Sequence, residues 1–305
     1  MRIGIDIGGT KTAVVLGDGN GVVEKIRFAT ESCEKTLEMI TDAVSKLGNA
    51  ESIGISCGGP LDSKKGLILS PPNLVGWDRV PIVQMLTERF GVPAYLCNDA
   101  DACALAEWKF GAGRGCENMI FLTFGTGMGA GLILNGRLYS GSHGMAGEVG
   151  HMRMSRFGPV GYGKSGSFEG FCSGGGLAGL GQTLAREKLQ MGKKLPYCEK
   201  LDDIYKIDAR LLADYAREGD EVALEAYRIC GEKLGEGLAI LCDALDPEVI
   251  VIGSVFARAE ELLRPHMERV LEREALMGKN GCKIEPAALG EAIGDYAALA
   301  VAEGV

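Results

Sequence analysis

The segment that decides the fold is Arg2–Lys11, RIGIDIGGTK, in which a short apolar run ends in an aspartate followed by two glycines, a threonine and a lysine. Glycines let the backbone approach an anion closely, and backbone amides and a threonine hydroxyl can donate to phosphate oxygens. The segment therefore predicts a strand that ends in a phosphate-binding turn. Taken alone, it also fits an ordinary β-turn.

A second stretch repeats this pattern. The apolar run Met119–Phe124 leads into GTGMGAG at 125–131, which is followed by another apolar run and an Asn-Gly turn. The glycine loop lacks the GK[ST] ending of a Walker loop and does not open a helix as a dinucleotide fingerprint does. Residues 3–28 and 119–139 thus both read as strand, Gly/Thr loop, strand, turn and strand, which predicts a clamp around one polyphosphate.

The remaining sequence predicts a mixed α/β protein with a cleft between two related halves. Further strands are predicted at 52–56, 94–97 and 249–252. Apolar spacing predicts helices at 36–47, 80–90, 100–110, 177–191, 208–217, 220–245, 257–275 and 291–303.

Composition excludes several functions. The chain has 305 residues and a formal net charge of −9, which argues against general binding to nucleic acid or to an anionic membrane surface. No apolar run approaches the ~20 residues that span a bilayer, and the first residues do not read as a signal peptide. The ten cysteines are scattered without a CxxC pair. We therefore expect a reduced, cytoplasmic protein.

Several polar residues are candidates for catalysis. Asn98 and Asp99 follow a strand and precede a helix, and phosphoryl transfer to an alcohol requires a carboxylate close to the hydroxyl. Asp99 is the candidate base and Asn98 a candidate for orienting a sugar hydroxyl, although helix capping explains the same pair. Glu148, His151 and Glu169 could each contact sugar hydroxyls. Asp6 could hold Mg²⁺ through water.

The sequence resembles the ROK group of bacterial sugar kinases (repressors, open reading frames, kinases) along nearly its whole length. The resemblance is carried by DIGGTK at 6–11, GISCGGPLD at 54–62, PPNLVGW at 71–77, NDADACALAE at 98–107, TFGTGMGAGLILNGRLYSG at 123–141, AGEVGHM at 146–152 and GSFEGFCSGGGLA at 166–178.

The resemblance implies an actin-like (ribonuclease H-like) two-domain ATPase fold with sugar and ATP in the interdomain cleft. The smaller domain would span 1–113 and be completed by a C-terminal helix at 291–305, and the larger would span 114–290. By position, Asp99 resembles the family's catalytic base. The implied sugar contacts are Gly59, Asn98, Asp99, Glu148, His151 and Glu169. The implied ATP contacts are Asp6, Gly8, Gly9, Thr10, Lys11, Thr12, Thr126, Gly127, Gly129 and Gly253.

One departure concerns zinc. The family usually carries CxCGxxGC, whose three cysteines bind zinc together with a histidine, but this chain has Val160, Tyr162 and Ser167 at those positions. Cys172 is nearby, yet one thiolate and one imidazole do not close a tetrahedral structural site. We predict no structural zinc here, a direct sugar contact for His151, and packing by Phe157, Tyr162 and Phe168 in place of the metal.

The function expected from this resemblance is an ATP-dependent kinase that uses Mg²⁺ and phosphorylates the 6-hydroxyl of a hexose. Glucose is the first choice, and N-acetylmannosamine, fructose, allose and β-glucosides stay open. A sugar-responsive transcriptional regulator is disfavoured, because the first strand begins at residue 2 and the net charge is negative. A sensor without activity would be expected to lose Asp99 or a phosphate loop. Family members commonly form dimers, so a homodimer is expected.

Overall fold

A computed structural model describes residues 1–304. The β-strands are β1 (Arg2–Ile7), β2 (Lys11–Asp18), β3 (Gly21–Ala29), β4 (Ile53–Cys57), β5 (Leu61–Asp62), β6 (Leu67–Ile68), β7 (Ala94–Asn98), β8 (Met119–Leu122), β9 (Ala130–Ile133), β10 (Val160–Gly161), β11 (Lys164–Ser165), β12 (Val249–Ile252) and β13 (Lys283–Pro286). The α-helices are α1 (Cys33–Leu47), α2 (Ile82–Phe90), α3 (Asp99–Phe110), α4 (Phe168–Phe171), α5 (Gly174–Gln190), α6 (Ala209–Arg217), α7 (Glu221–Leu245), α8 (Val255–Arg258), α9 (Glu260–Glu274) and α10 (Ile293–Val301).

The described chain divides into two compact units. Unit 1 comprises residues 1–121, 131–146 and 288–305, and unit 2 comprises 122–130 and 147–287. The domain boundaries expected from the sequence stay a prediction. Among the described residues, none of the helices combines the length and apolar character that crossing a membrane requires.

A five-stranded sheet in the order β3-β2-β1-β4-β7 forms the centre of unit 1. Strands β1, β2 and β3 are antiparallel neighbours, as the turn-rich residues between them predict. Strands β4 and β7 run parallel to β1, each reached through a helix. The carboxyl ends of β1, β4 and β7 therefore lie at one edge of the sheet.

Along β1 and β4 the side chains alternate between the two faces of the sheet, and both faces are covered there, whereas much of β3 is exposed. Isoleucines of β1 and β4 fill a core with Ile40 and Val44 of α1. On the opposite face lies α10, whose residues 297–301 are all buried. A Cβ atom at Gly4 would lie 2.6 Å from the Leu299 nitrogen, and one at Gly54 would lie 2.2 Å from the Ala298 oxygen. Only glycine at these two positions lets the helix backbone come so close.

A buried carboxylate anchors the returning C-terminal segment to unit 1. Glu107 of α3 is 0% exposed and accepts hydrogen bonds from the amides of Ala112 at 2.8 Å, Ala288 at 3.2 Å and Leu289 at 2.9 Å. Buried backbone amides need such partners, since leaving one unpaired costs about 1–3 kcal/mol. Glu107 therefore fixes the segment that leads into α10.

Unit 2 contains most of the helices. The long helices α7 and α9 pack against each other, and α5 and α6 pack against α7. Strands β12 and β13 of this unit pair in parallel. Many of the predicted helices are confirmed in type, with ends that differ by a few residues.

Three sequence predictions are wrong. The single helix predicted at 257–275 is two helices, because Ala259 leaves the helical region with φ −138° and ψ 34°. The strand predicted at 137–139 is only an isolated bridge between Ile133 and Leu138. Strand β13 was not predicted, since KIEP is short, charged and ends in proline.

We expect Glu107→Ala to lower the free energy of unfolding of unit 1 by about 2–4 kcal/mol, because three amides lose their acceptor and water replaces it incompletely. Urea unfolding followed by tryptophan fluorescence measures this, since both tryptophans, Trp77 and Trp108, belong to unit 1. Glu38→Ala on the exposed side of α1 is the control and should change the value little. Equal stability of the two variants would contradict the anchoring role.

Candidate active site

The polar residues of unit 1 converge where three parallel strands end. In the sheet, Ile7 pairs with Cys57 and Cys57 pairs with Asn98, so these strand ends form one row. The next residues along the chain are Gly8, Gly58 and Asp99. Since ligands of open α/β sheets bind at the carboxyl ends of the strands, this row is the candidate site of unit 1.

Asn98 and Asp99 sit at the start of α3, as the sequence predicts. The Asn98 Oδ1 accepts from the Ala100 amide at 3.0 Å and the Asp99 Oδ1 accepts from the same amide at 2.9 Å. Helix capping is therefore compatible with the predicted roles of Asp99 as a base and Asn98 as a sugar contact, because each side chain keeps a second polar atom. A Cβ at Gly59 would lie 3.5 Å from the Asn98 Nδ2, and one at Gly58 would lie 3.7 Å from the Asp99 Oδ2.

The surroundings of this row raise the pKa values of its acidic side chains. Asp99 has exposed surface of its own, but the surrounding protein displaces much of its water, and this desolvation raises its pKa. Burial, followed by repulsion from Asp295 and Asp99, raises the pKa of Asp6 to about 6. Burial and then repulsion from Asp99 and Asp6 raise the pKa of the Cys57 thiol to about 12. Cys57 is thus a thiol and not a nucleophile at neutral pH.

The first glycine turn has the geometry of a tight loop with its tip in solvent. The Gly8 amide donates to the Lys11 carbonyl at 3.1 Å, while Gly9, Thr10 and Lys11 are exposed. Thr12 differs from expectation, because its side chain is buried and its hydroxyl bonds to Thr30 at 2.8 Å. Its hydroxyl therefore stabilises the turn and is not directed to a ligand.

Three residues beside this turn were not singled out as site residues from the sequence. A Cβ at Gly9 would lie 2.7 Å from the Asn73 Cβ, so the PPNLVGW segment lies directly on the turn. Lys25 of β3 forms an ion pair with Asp295 of α10, beside Asp6. The PPNLVGW motif was a signal for Asn73, whereas the Lys25–Asp295 pair depends on elements 270 residues apart.

A single carboxylate, that of Asp6, is the candidate for holding a divalent cation. Asp295 and Asp99 raise the pKa of Asp6 by repulsion, and carboxylate oxygens are the ligands that Mg²⁺ prefers. A cation at Asp6 would relieve this repulsion. Among these residues, Asp6 is the one that would hold Mg²⁺ brought in with a nucleotide.

The second glycine loop, in unit 2, is a closed hairpin. The Thr123 amide and hydroxyl bond to the Gly129 oxygen and amide, both at 3.0 Å, and the Gly125 amide donates to the Gly127 carbonyl at 3.0 Å. Thr126 stands exposed at the tip. A Cβ at Gly127 would lie 2.6 Å from the Glu169 Oε2, so the loop backbone lies directly against this carboxylate.

A helix N-terminus lies against this loop, which the sequence analysis missed. The Gly174 amide at the start of α5 donates to the Gly125 carbonyl at 2.7 Å, and Ser173 caps the helix by accepting from the Gly176 amide at 2.9 Å. Helix N-termini attract anions through free amides and the helix dipole. The signal in the sequence was SGGG at 173–176, a capping serine before three glycines.

Glu148, His151 and Glu169 gather around the same loop. Glu169 of α4 accepts from the Met128 amide at 3.0 Å through Oε2. Glu148 and His151 flank the 3₁₀ turn Val149–His151, and both are exposed. A Cβ at Gly150 would lie 2.0 Å from the Met128 oxygen and 3.3 Å from the Glu169 Cβ, so the turn packs directly on the loop.

Gly253 follows β12 and donates its amide to the Leu122 carbonyl at 2.9 Å. The next residue, Ser254, has φ +50°, a conformation that favours glycine. The backbone at Ser254 thus adopts a glycine-type conformation with a serine side chain.

The residues at the family's zinc positions do not fit zinc. Val160 is 64% exposed and has no donor atom, and Tyr162 is 85% exposed. Cys172 is buried, and its thiol donates to the Cys230 carbonyl on α7, away from the loop. Among the described residues there is no group of three or more His, Cys, Asp or Glu side chains that could hold a metal ion.

The packing predicted for this loop is wrong in two of its three members. Phe168 is fully buried, but Phe157 and Tyr162 are 75% and 85% exposed. Hydrogen bonds hold the loop instead. The Met154 and Ser155 amides both donate to the Gly166 carbonyl, at 2.8 and 3.0 Å, and β10 pairs with β11.

An ATPase that phosphorylates a sugar requires turns that can bind phosphate and a carboxylate that can accept a proton, and the glycine turns and the Asp99 carboxylate are candidates for these roles. A Thermotoga maritima glucokinase is 32% identical over 286 residues, covering 88% of this chain and 87% of its own. An Escherichia coli N-acetylmannosamine kinase is 30% identical over 267 residues, covering 86% and 85%. A xylose repressor from Caldicellulosiruptor bescii is 30% identical over 290 residues, covering 91% of this chain and 71% of the repressor.

Among solved structures, a ROK family glucokinase from Streptomyces griseus in complex with glucose and AMPPNP superposes with a TM-score of 0.77. Its identity is 30%, and the match covers 100% of this chain and 99% of that one. The fold is thus that of the actin-like sugar kinases, and the chain is an ATP-dependent sugar kinase. The ROK family profile matches residues 2–304, and the chain belongs to the ROK family.

We expect Asp6→Asn to stabilise the protein in nucleotide-free, metal-free buffer at pH 8. The Asp6 carboxyl has a pKa of about 6 when folded against an ordinary value of 3.8, so the folded state holds the proton longer and loses stability as the pH rises from about 4 to about 6. Asparagine lacks this penalty. The gain should be about 1–3 kcal/mol at pH 8 and vanish below pH 4 in urea unfolding. A gain that does not depend on pH would contradict this account.

We also expect no stoichiometric zinc in the purified protein, because the donor set is incomplete. Inductively coupled plasma mass spectrometry after dialysis measures it, and protein expressed in zinc-supplemented medium provides a stringent case. A full equivalent of zinc that survives dialysis would overturn this prediction.

Proposed function

We propose that this kinase transfers the γ-phosphoryl group of ATP to the 6-hydroxyl of a hexose, glucose being the first choice. The observation that carries the proposal is the row of strand ends in unit 1, where Asp99 stands at the same sheet edge as Asp6 and the Gly8–Lys11 turn. A base for an alcohol and a turn for phosphate are the two functions that such a transfer needs.

Asp99 would be the general base. The hydroxyl oxygen attacks the γ-phosphorus, its proton passes to the free Oδ2 of Asp99, and the bond to the β-phosphate oxygen breaks so that ADP leaves. The Asp99 Oδ1 accepts from the Ala100 amide, which holds the carboxylate in place. Its raised pKa makes it a stronger proton acceptor than an ordinary aspartate.

Charge on the transferring group would be stabilised by the glycine loops. The candidate donors are the amides of Gly9, Thr10, Thr126 and Gly127 and the N-terminus of α5, since the Gly8, Met128 and Gly129 amides already have partners within the protein. Lys11 adds a positive side chain at the exposed tip of the first turn. Mg²⁺, held at Asp6, would supply further charge neutralisation when nucleotide is bound.

The hexose would be held by hydroxyl contacts. In unit 1 the donors are the Asn98 Nδ2 and the backbone at Gly59, and in unit 2 the groups are Glu148, His151 and Glu169. This last set resembles that of glucokinases, and the Thermotoga maritima relative supports glucose. The Escherichia coli relative supports N-acetylmannosamine as the main alternative. Fructose, allose and β-glucosides stay open, and so does the homodimer.

A second candidate function is a sugar-responsive regulator, which the similarity to a xylose repressor favours. A regulator of this kind binds sugar but needs neither a base nor a phosphate turn. The negative net charge also opposes contact with DNA. Sugar binding without ADP release would favour this alternative.

The test is an ADP-release assay with Mg·ATP against glucose, mannose, fructose, allose, N-acetylglucosamine and N-acetylmannosamine. We expect one hexose, glucose first, to give a kcat/KM well above the others. On that sugar, Asp99→Asn should lower kcat by about 10²–10⁴-fold while calorimetry shows sugar binding largely retained, since asparagine keeps the bond to Ala100 but takes no proton. Asp42→Asn, exposed on α1, is the control. An undiminished kcat in Asp99→Asn would remove Asp99 from the role of base.

A further inference from the structure

The segment 152–167 connects two of the proposed sugar contacts. It begins after His151, at the end of the 3₁₀ turn, and ends at Ser167, the N-cap of α4 that carries Glu169. Within it lies the small β10–β11 hairpin. The conformation of this segment therefore sets the position of His151 relative to α4.

Backbone bonds close the two ends of the segment but do not reach the His151 carbonyl. The Phe168 amide donates to the Met152 carbonyl at 2.8 Å, and the Gly166 amide donates to the Pro159 carbonyl at 2.8 Å. The last carbonyls of a helical turn have no partner within the turn. The His151 carbonyl is in this position and needs a donor from elsewhere.

Lys164 supplies that donor. Its Nζ donates to the His151 carbonyl across 13 residues of chain. Neighbouring side chains add bonds of the same kind, since Arg153 donates to the Ser165 carbonyl at 2.8 Å and the Ser165 hydroxyl donates to the Gly158 carbonyl at 3.0 Å. Bonds from a charged donor are about twice as strong as neutral ones.

Apolar burial contributes little at this hairpin. Its apolar side chains Phe157, Val160 and Tyr162 are all largely exposed. The Lys164 ammonium is thus the side chain that joins the hairpin to the end of the 3₁₀ turn. Lys164 itself is half-buried, and its bond to the His151 carbonyl lies at the protein surface.

We propose that Lys164 is a positioning residue for His151, tying the His151 backbone to the β10–β11 hairpin so that the imidazole meets the sugar in a fixed orientation. This rests on the proposed function, in which His151 contacts the hexose. The lysine would do so without touching the substrate. Its removal should loosen His151 and weaken sugar binding while leaving phosphoryl transfer and ATP binding nearly intact.

The test compares Lys164→Met with Lys164→Arg and with Lys193→Met, an exposed control. In Lys164→Met we expect the KM for the hexose to rise about 5–20-fold, with kcat and the KM for ATP within about threefold of the parent, because one charge-assisted bond is lost. Arginine keeps a charged donor and should restore most of the sugar KM. If Lys164→Met is insoluble, Lys164→Gln replaces it.

A second readout does not depend on activity. The chain has three histidines, so the imidazole proton signals in a one-dimensional NMR spectrum can be assigned with a His151→Gln variant. We expect Lys164→Met to shift or broaden the His151 signal and to leave those of His143 and His266 in place. An unchanged His151 signal together with an unchanged sugar KM would overturn the proposal.

The two hypotheses fail in different ways. If His151→Gln leaves the sugar KM unchanged, the proposed sugar contact is wrong, and the positioning of the sugar by Lys164 falls with it, whatever the spectrum shows. If His151→Gln raises the sugar KM but Lys164→Met does not, the sugar contact stands and the positioning role of Lys164 is wrong. If the parent protein turns over no hexose, the proposed function alone is wrong. The NMR comparison still tests whether the bond from Lys164 holds His151 in place.

Discussion

Parallel pairing of β1, β4 and β7 in a single register is the constraint on which the candidate site of unit 1 depends. The row Ile7, Cys57 and Asn98 places the residue after each strand at one edge of the sheet. A shift of one residue in β1 or β4 would turn its isoleucines out of the core, so burial fixes the register of these two strands. The packing energy of the core thus sets the positions of the phosphate turn and the base.

The same arrangement carries an electrostatic penalty. Burial raises the pKa of Asp6 to about 6, and repulsion from Asp295 and Asp99 adds to the effect. Lys25 offsets part of it through its ion pair with Asp295. A site with uncompensated negative charge in the free protein gains more free energy when it binds a magnesium nucleotide. The same charge therefore lowers the stability of the free protein and favours nucleotide binding.

The sequence was sufficient for the strand-turn patterns, since RIGIDIGG and GTGMGAG combine apolar runs with glycines whose physical role is local. It was also sufficient to place Asn98 at the N-terminus of α3, because a helix cap and the predicted sugar contact would require the same position. It failed where the decisive contact is remote. Glu107 reads as an ordinary helical glutamate, yet its three amide partners include two that follow 181 and 182 residues later. Phe157 and Tyr162 read as packing residues, because apolar character does not reveal which side faces solvent.

The contact between α10 and the glycines of β1 and β4 has a consequence for biosynthesis. The first strands leave the ribosome long before residues 293–301, which cover one face of their sheet. Until then Gly4 and Gly54 mark a bare groove beside an isoleucine-rich surface, a state prone to association with other chains. Unit 1 can therefore complete its fold only after α10 has been synthesised, whereas most of unit 2 precedes that helix in the chain. Chaperone dependence in the cell should accordingly be sensitive to changes near the C-terminal helix.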